Sequence, residues 1–236
     1  MGKTATIILA AGQGTRFGGD TPKQFLRLNG KALWRLSLEA FLPFSDEIVV
    51  VTDENHLEMV SKEGDGFFVT PGGKSRAESV LFGLRFLNTL PDKPETVLIH
   101  DAARCLVTPE IIEACLQKAR ESGAAITAVP ATDTIKTVDR PAGAEGDFPV
   151  ITDTPDRRFL YQAQTPQGFA FDLILSAYEK ADEAGSLPSL TDDASAVERF
   201  TDHPVLVTPG SPENIKVTRP LDLQFAESIL RFRILR

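Results

Sequence analysis

Leu9-Ala-Ala-Gly-Gln-Gly-Thr-Arg-Phe17 follows an apolar run, and Pro22-Lys-Gln24 comes just after it. A small, glycine-bearing loop at a strand end lets backbone N–H groups approach a polyphosphate, and Arg16 and Lys23 add positive charge. The chemistry this suits is the binding of a nucleoside triphosphate. A glycine turn joining a strand to a helix is the plainer reading of Gly12 and Gly14. The two cations favour phosphate, because a purely structural turn needs none. Two familiar phosphate loops do not fit. A dinucleotide fingerprint needs a third small residue where Phe17 stands and an acid about 20 residues further on, whereas the first strand-terminal acid is Asp53. A Walker loop needs Gly-Lys-Ser/Thr directly after the first strand, and none is there.

Three later clusters could meet the same ligand. Gly72-Gly-Lys-Ser-Arg-Ala-Glu-Ser79 opens a helix after a strand; Gly73 permits close approach, Ser79 offers a hydroxyl, and Ser75 is the expected N-cap. His100-Asp-Ala-Ala-Arg104 ends another strand, where open α/β sheets bind ligands. Asp101 there can hold a divalent cation or a ribose hydroxyl, or merely cap the following turn, and Arg104 is placed to meet a phosphate. Asn214-Ile-Lys-Val-Thr-Arg-Pro220 puts Lys216 in a short apolar strand, from which a lysine ordinarily points to solvent. Thr191-Asp-Asp193 reads as a helix N-terminus with Thr191 as cap and acids in the first turn. His56, His100 and His203 are scattered and form no metal set.

Elements alternating between strand and helix must position these residues. Thr6–Ala10, Glu47–Thr52, Phe67–Thr70, Thr96–His100 and Ala124–Val129 are short apolar or β-branched runs suited to strands buried on both faces. Helical patterns lie at Ala32–Phe41 and Arg76–Leu87, and between Thr108-Pro109 and the stop at Gly123. Further helices are expected near Phe171–Glu183 and Asp192–Phe200, a strand at Val205–Val207, and a last helix opened by Pro220. The alternation predicts an α/β fold: a twisted, mostly parallel sheet with helices on both faces.

From Lys136 to Arg158 the rhythm breaks. Pro141, Pro149, Pro155, Gly143 and Gly146 interrupt any helix, and strand-like pieces at Thr134–Asp139 and Val150–Thr152 flank the turn-rich stretch Arg140–Gly146. This reads as an extended hairpin arm, and an isolated two-stranded arm is marginal in water. It should pack on something, for which a second subunit is the natural candidate; a disordered surface insertion is the other reading.

The chain has 236 residues, 42% of them hydrophobic, enough for a full core in one α/β domain spanning 1–236, with the arm at about 136–160. A net charge of −8 argues against a nucleic-acid surface. The apolar runs are strand-length, so no membrane span is expected. The first strand begins by Thr4, which leaves no room for a targeting peptide, and Cys105 and Cys115 make no disulfide framework. A cytoplasmic protein fits all of this.

Together the segments resemble the 2-C-methyl-D-erythritol 4-phosphate cytidylyltransferase family, from Ile7 to Ala226. The likeness rests on Ala10-Ala-Gly-x-Gly-x-x-Arg16, Pro22-Lys-Gln24, Gly72-Gly-x-x-Arg-x-x-Ser79, His100-Asp-Ala-Ala-Arg104, Asp133-Thr-x-Lys136, Thr165-Pro-Gln167, Thr191-Asp-Asp193 and Asn214-Ile-Lys-Val-Thr218, in that order. The resemblance implies a Rossmann-like nucleotidyltransferase fold whose β-arm is exchanged across a homodimer. It implies transfer of CMP from CTP to methylerythritol phosphate, with Mg²⁺ and release of pyrophosphate. By the same likeness Ala10, Ala11, Gly12, Gly14, Gly73, Ser79, Asp101 and Ala102 hold CTP, while Arg16 and Lys23 stabilise the transition state. Thr134, Arg157, Thr165 and Lys216 surround the acceptor, Arg157 reaching in from the other subunit. Asp101 is the candidate Mg²⁺ contact, the metal being held mainly by CTP phosphates. Two departures stand out. Cys105 replaces a common proline, and Lys74 and Ser75 stand where relatives often carry acids, so no base contact is assigned to them.

A phosphate monoester with a second pKa near ~6 is largely a dianion at neutral pH, so the reaction needs no general base. The difficulty is repulsion between two anions, which positioning and cations must offset. Ribitol 5-phosphate cytidylyl transfer is the nearest alternative, with a shared CTP loop and a different polyol pocket. A nicotinamide-dependent oxidoreductase and a non-catalytic nucleotide-binding regulator are alternatives of another class, and the missing ribose acid argues against a dinucleotide.

Overall fold

The computed structural model describes residues 2–12, 22–140 and 148–235. Gly14, Arg16 and most of the arm's turn lie outside them. The strands are β1 (Thr4–Ala10), β2 (Arg27–Leu28), β3 (Lys31–Ala32), β4 (Glu47–Thr52), β5 (Phe68–Pro71), β6 (Thr96–Asp101), β7 (Ala124–Pro130), β8 (Thr137–Val138), β9 (Ile151–Asp153), β10 (Tyr161–Ala170) and β11 (Leu206–Pro209). The helices are α1 (Leu33–Phe41), α2 (Leu57–Ser61), α3 (Arg76–Asn88), α4 (Pro109–Ser122), α5 (Phe171–Glu183), α6 (Ala194–Phe200) and α7 (Pro220–Ile234).

Seven strands form one sheet in the order β11-β7-β10-β6-β1-β4-β5. All neighbours are parallel except β10, which runs antiparallel to both β6 and β7. The mostly parallel α/β expectation is therefore met. Alternate residues of one strand enter opposite cores, as a period of two requires. Ile7, Val49, Val51, Val97 and Ile99 pack with α3, α5 and α6. Ile8, Ile48, Val50 and Leu98 pack with α1, α2 and α4 on the other face. Burying each such side chain contributes roughly 1.5–3 kcal/mol.

Helix ends follow their caps. Ser75 accepts a hydrogen bond from Glu78 N (3.1 Å) and starts α3. Pro109 opens α4, and Gly123, at φ 84°, closes it in the left-handed region. Thr108 stands at the N-cap, but its side chain bonds no cap N–H. Thr191 is not the cap of α6: the Asp192 carboxylate instead accepts from Ser195 N (3.0 Å).

β10 has no counterpart in the sequence reading. Its run Tyr-Gln-Ala-Gln-Thr-Pro-Gln-Gly-Phe-Ala shows neither alternation nor β-branched enrichment, yet it lies between β6 and β7. Its buried polar residues are held by hydrogen bonds instead. Gln167 Oε1 accepts from Asp193 N and Ala194 N (3.0 Å each), and Gln164 Nε2 donates to Ser211 O (2.9 Å).

The arm region carries the expected hairpin in shorter form. β8 and β9 pair antiparallel as a sheet of their own. Around them Phe148, Ile151 and Phe159 are 93%, 58% and 80% exposed, a marked apolar surface for side chains of this size.

Candidate active site

Chain order places a crevice at the middle of the sheet. From β1 the chain adds β4 and β5 on one side, then returns to add β6 on the other. Neighbouring connections thus diverge beyond the carboxyl ends of β1 and β6, the usual ligand position in such sheets. Leu9 is in register with Asp101, and Ala102 N donates to Leu9 O (3.1 Å), so the two loops leave side by side.

A cavity of about 1150 Å³ opens there. Ala11, Gly12, Lys23, Gly73, Ser79, Asp101 and Lys216, all singled out from sequence, line it together. Lys23 enters on a single 3-10 turn, Lys23–Phe25, whose Phe25 ring stacks on His56 at 4.3 Å. The first and second loops touch closely: a Cβ on Gly72 would lie 2.4 Å from Ala11 Cβ and 2.9 Å from Ser79 Oγ. Only glycine fits that position. The Ser79 hydroxyl donates to Ser75 O (2.9 Å) and accepts from Gly73 N (3.1 Å), which shapes the loop.

Lys216 departs from the expectation. No ladder forms across Asn214–Thr218, so it is not a strand. The segment is extended and pinned: Val217 N donates to Ala103 O (2.8 Å), and the buried Asn214 Nδ2 donates to Gln164 Oε1 (3.1 Å) and Thr165 O (3.0 Å). Lys216 then turns into the crevice, where its Nζ donates to Asp101 Oδ2 (2.6 Å). Arg104 spends its guanidinium on Asn214 O (2.8 Å) and Ala163 O (3.2 Å), so it clamps this segment.

Asp101 is surrounded by cations. Burial pushes its pKa up, but the Arg76 guanidinium and the Lys216 ammonium outweigh that and hold the carboxyl well below the usual range. Neighbouring His100 is fully buried, and burial lowers its pKa to about 3. It is therefore neutral. Thr165 Oγ1 accepts from Asp101 N (3.1 Å) and donates to His100 Nδ1 (3.0 Å), leaving Nε2–H to point at Arg104 O (3.3 Å). The Thr165 hydroxyl thus orients the end of β6.

The remaining sequence-named residues lie elsewhere. Ala10 and Ala102 have side chains in the core. Thr134 and Arg157 are exposed beside the arm, where Arg157 Nη1 donates to Thr132 O (2.8 Å). Neither lines the crevice that holds Lys23 and Lys216.

Sequence reasoning assigned no role to Arg76, Asp193 or Tyr178. Arg76 Nη1 and Nη2 make a forked pair with Asp193 (2.9 and 2.8 Å), and Nε reaches Asp101 Oδ1 (3.1 Å). Asp193 is completely buried and also accepts from the Tyr178 hydroxyl (2.6 Å). The signals were the arginine inside the Gly72–Ser79 motif and the second acid of Thr191-Asp-Asp193, which was read only as a helix start. Among the described residues no group of three or more His, Cys, Asp or Glu side chains could hold a metal ion.

The chain is 42% identical over 233 residues to the 2-C-methyl-D-erythritol 4-phosphate cytidylyltransferase of Parasynechococcus marenigrum, covering 96% of this chain and 97% of that one. The crystal structure of 4-diphosphocytidyl-2C-methyl-D-erythritol synthase from Anaerococcus prevotii superposes with a TM-score of 0.80 at 30% identity, over 98% and 99% of the two chains. The Francisella tularensis 2-C-methyl-D-erythritol 4-phosphate cytidylyltransferase gives 0.79 at 31%, over 96% and 99%. The family model described as 2-C-methyl-D-erythritol 4-phosphate cytidylyltransferase matches residues 4–232, and the chain belongs to that family.

Proposed function

We propose that this crevice joins CTP to 2-C-methyl-D-erythritol 4-phosphate, giving 4-diphosphocytidyl-2-C-methyl-D-erythritol and pyrophosphate. The observation that carries this reading is Lys216 held on Asp101, with Lys23 on the same crevice, at the open end of β1 and β6. The chain is a cytidylyltransferase by family. An oxygen of the acceptor phosphate attacks the α-phosphorus of CTP; that P–O bond forms as the α–β bridging bond breaks. The acceptor arrives as a dianion, so no proton need be removed. This agrees with His100, the buried histidine nearest the site, being neutral and fully hydrogen-bonded.

The residues present supply position and charge. The backbone of Ala10–Gly12, with Gly14, cradles the triphosphate, while Gly73 and Ser79 shape the neighbouring wall. Ala102 and Arg104 support that floor. Lys23 and Arg16 offset charge gathering on the α-phosphate and the leaving pyrophosphate, the electrostatic role that dominates such transfers. Lys216 keeps one donor on Asp101 and turns its other two to the acceptor phosphate, and the Thr165 hydroxyl keeps the floor beneath it fixed. A divalent cation would be held mainly by triphosphate oxygens and water, because both oxygens of Asp101 already accept from Arg76 and Lys216, which leaves each of them one spare lone pair to offer. Bound there, Mg²⁺ would neutralise triphosphate charge.

We infer a homodimer through the arm. The exposed Phe148, Ile151 and Phe159 support it, as does Arg157, which is exposed and does not line the crevice that holds Lys23 and Lys216. Arg157 and Thr134 would complete the acceptor site of the partner subunit. A pyrophosphate-release screen of CTP, UTP and ATP against methylerythritol phosphate and ribitol 5-phosphate tests the function. Release only with CTP and methylerythritol phosphate is expected; release only with ribitol 5-phosphate would overturn the acceptor assignment.

A further inference from the structure

We propose that Arg76 is a positioning residue for the transfer, acting through Asp101 on the Lys216 ammonium. The proposal rests on the reading of Lys216 as the cation that meets the acceptor phosphate.

Arg76 lies on the crevice wall, yet each of its three nitrogens donates to a carboxylate of the protein. Both terminal nitrogens are spent on Asp193 and Nε on Asp101. The guanidinium is planar, so the fork on Asp193 also fixes the direction of the Nε–H bond. That direction selects one oxygen of Asp101, Oδ1, and leaves Oδ2 for Lys216. Lysine carries a compact charge on a flexible four-carbon stem, so its ammonium needs an external reference point. Asp101 is that reference, and Arg76 holds it.

The inner end of the relay is rigid. Asp193 is anchored by the Tyr178 hydroxyl, and its own backbone N–H and that of Ala194 both donate to Gln167 Oε1. Tyr178 is fully buried among the residues of α5 and α3. Burial strengthens each of these bonds, because little water competes for them. A buried ion pair is a poor device for stability alone. This one couples the core to a side chain at the reacting end of the crevice.

A double-mutant cycle tests the coupling. In the native background Arg76→Lys should lower kcat by about 10-fold with CTP KM little changed, within the range of measured couplings. In a Lys216→Ala background the same change should cost less than about 2-fold. A purely structural role, or direct contact of Arg76 with CTP, makes the losses equal in both backgrounds and overturns the proposal. So does a Lys216→Ala enzyme with native kcat. Thermal unfolding of every variant checks that Asp101, which loses its second cation in the Lys216→Ala background, has not unfolded the enzyme. If Arg76→Lys folds poorly, Arg76→Gln/Asp193→Asn takes its place and leaves position 193 neutral. The same dependence on Lys216 is expected of it, and equal losses in both backgrounds overturn the proposal here too. Pyrophosphate release by the native enzyme with each acceptor separately reports whether the functional reading itself stands.

Discussion

Lys216 and Asp101, 115 residues apart in sequence, meet at 2.6 Å at the carboxyl end of β6. The contact closes the crevice floor without a strand or helix to carry the lysine. It depends on Asn214 and Val217 pinning an irregular segment to β10 and to the loop after β6. In the proposed transfer two anionic substrates need cations at a shared point, and this contact would hold one there.

The environment of His100 predicts a pH dependence of stability. Its pKa falls from 6.5 to about 3 on burial, so the unfolded chain binds the extra proton first. Stability from this group is complete above about pH 6.5 and is lost as pH falls towards 3, on the order of 5 kcal/mol in total. Urea unfolding between pH 4 and 8 should show that decline in the native protein. A His100→Gln variant should show a flatter profile over the same interval; parallel profiles would contradict the assignment.

The contact between Gly72 and Ala11 predicts a steric defect. Gly72→Ala should cost about 1–3 kcal/mol of stability, as overpacking does, and should raise KM for CTP by pushing the two loops apart. Urea denaturation and steady-state kinetics measure both. Native values for both would mean that the loops give way without consequence.

The proposed exchange of arms predicts complementation. Neither Arg16→Ala nor Arg157→Ala homodimers should be active, but mixed dimers should regain activity, because one of their two sites keeps both arginines. Mass spectrometry of the exchanged dimers confirms mixing. Verified mixing without recovered turnover would contradict an arginine supplied across the interface.

The parallel half of the sheet was legible because β1, β4, β6 and β7 are buried on both faces and so read as short apolar or β-branched runs. β10 was not, because its interior is filled by glutamines and a threonine whose hydrogen bonds come from distant segments. Local pattern carries no trace of such partners. Lys216 illustrates the same limit. Its alternating neighbours suggested a solvent-facing strand residue, and only the Asn214 and Val217 anchors turn it inward. Ala11, Gly73 and Asp101 were legible as crevice residues because each lies at or just past the carboxyl end of a recognisable strand. Arg76 and Asp193 meet only in three dimensions, 117 residues apart, and each alone looks like an ordinary helix-start charge.

In the proposed transfer, cations gathered at one crevice offset repulsion between two anionic substrates. The most direct measurement is the single-turnover rate of CMP transfer from CTP to methylerythritol phosphate by Lys23→Ala and Lys216→Ala enzymes at saturating substrate. Each should fall by about 10²–10³-fold, the scale for losing one transition-state stabiliser. A rate within a few-fold of native in both variants would contradict the claim.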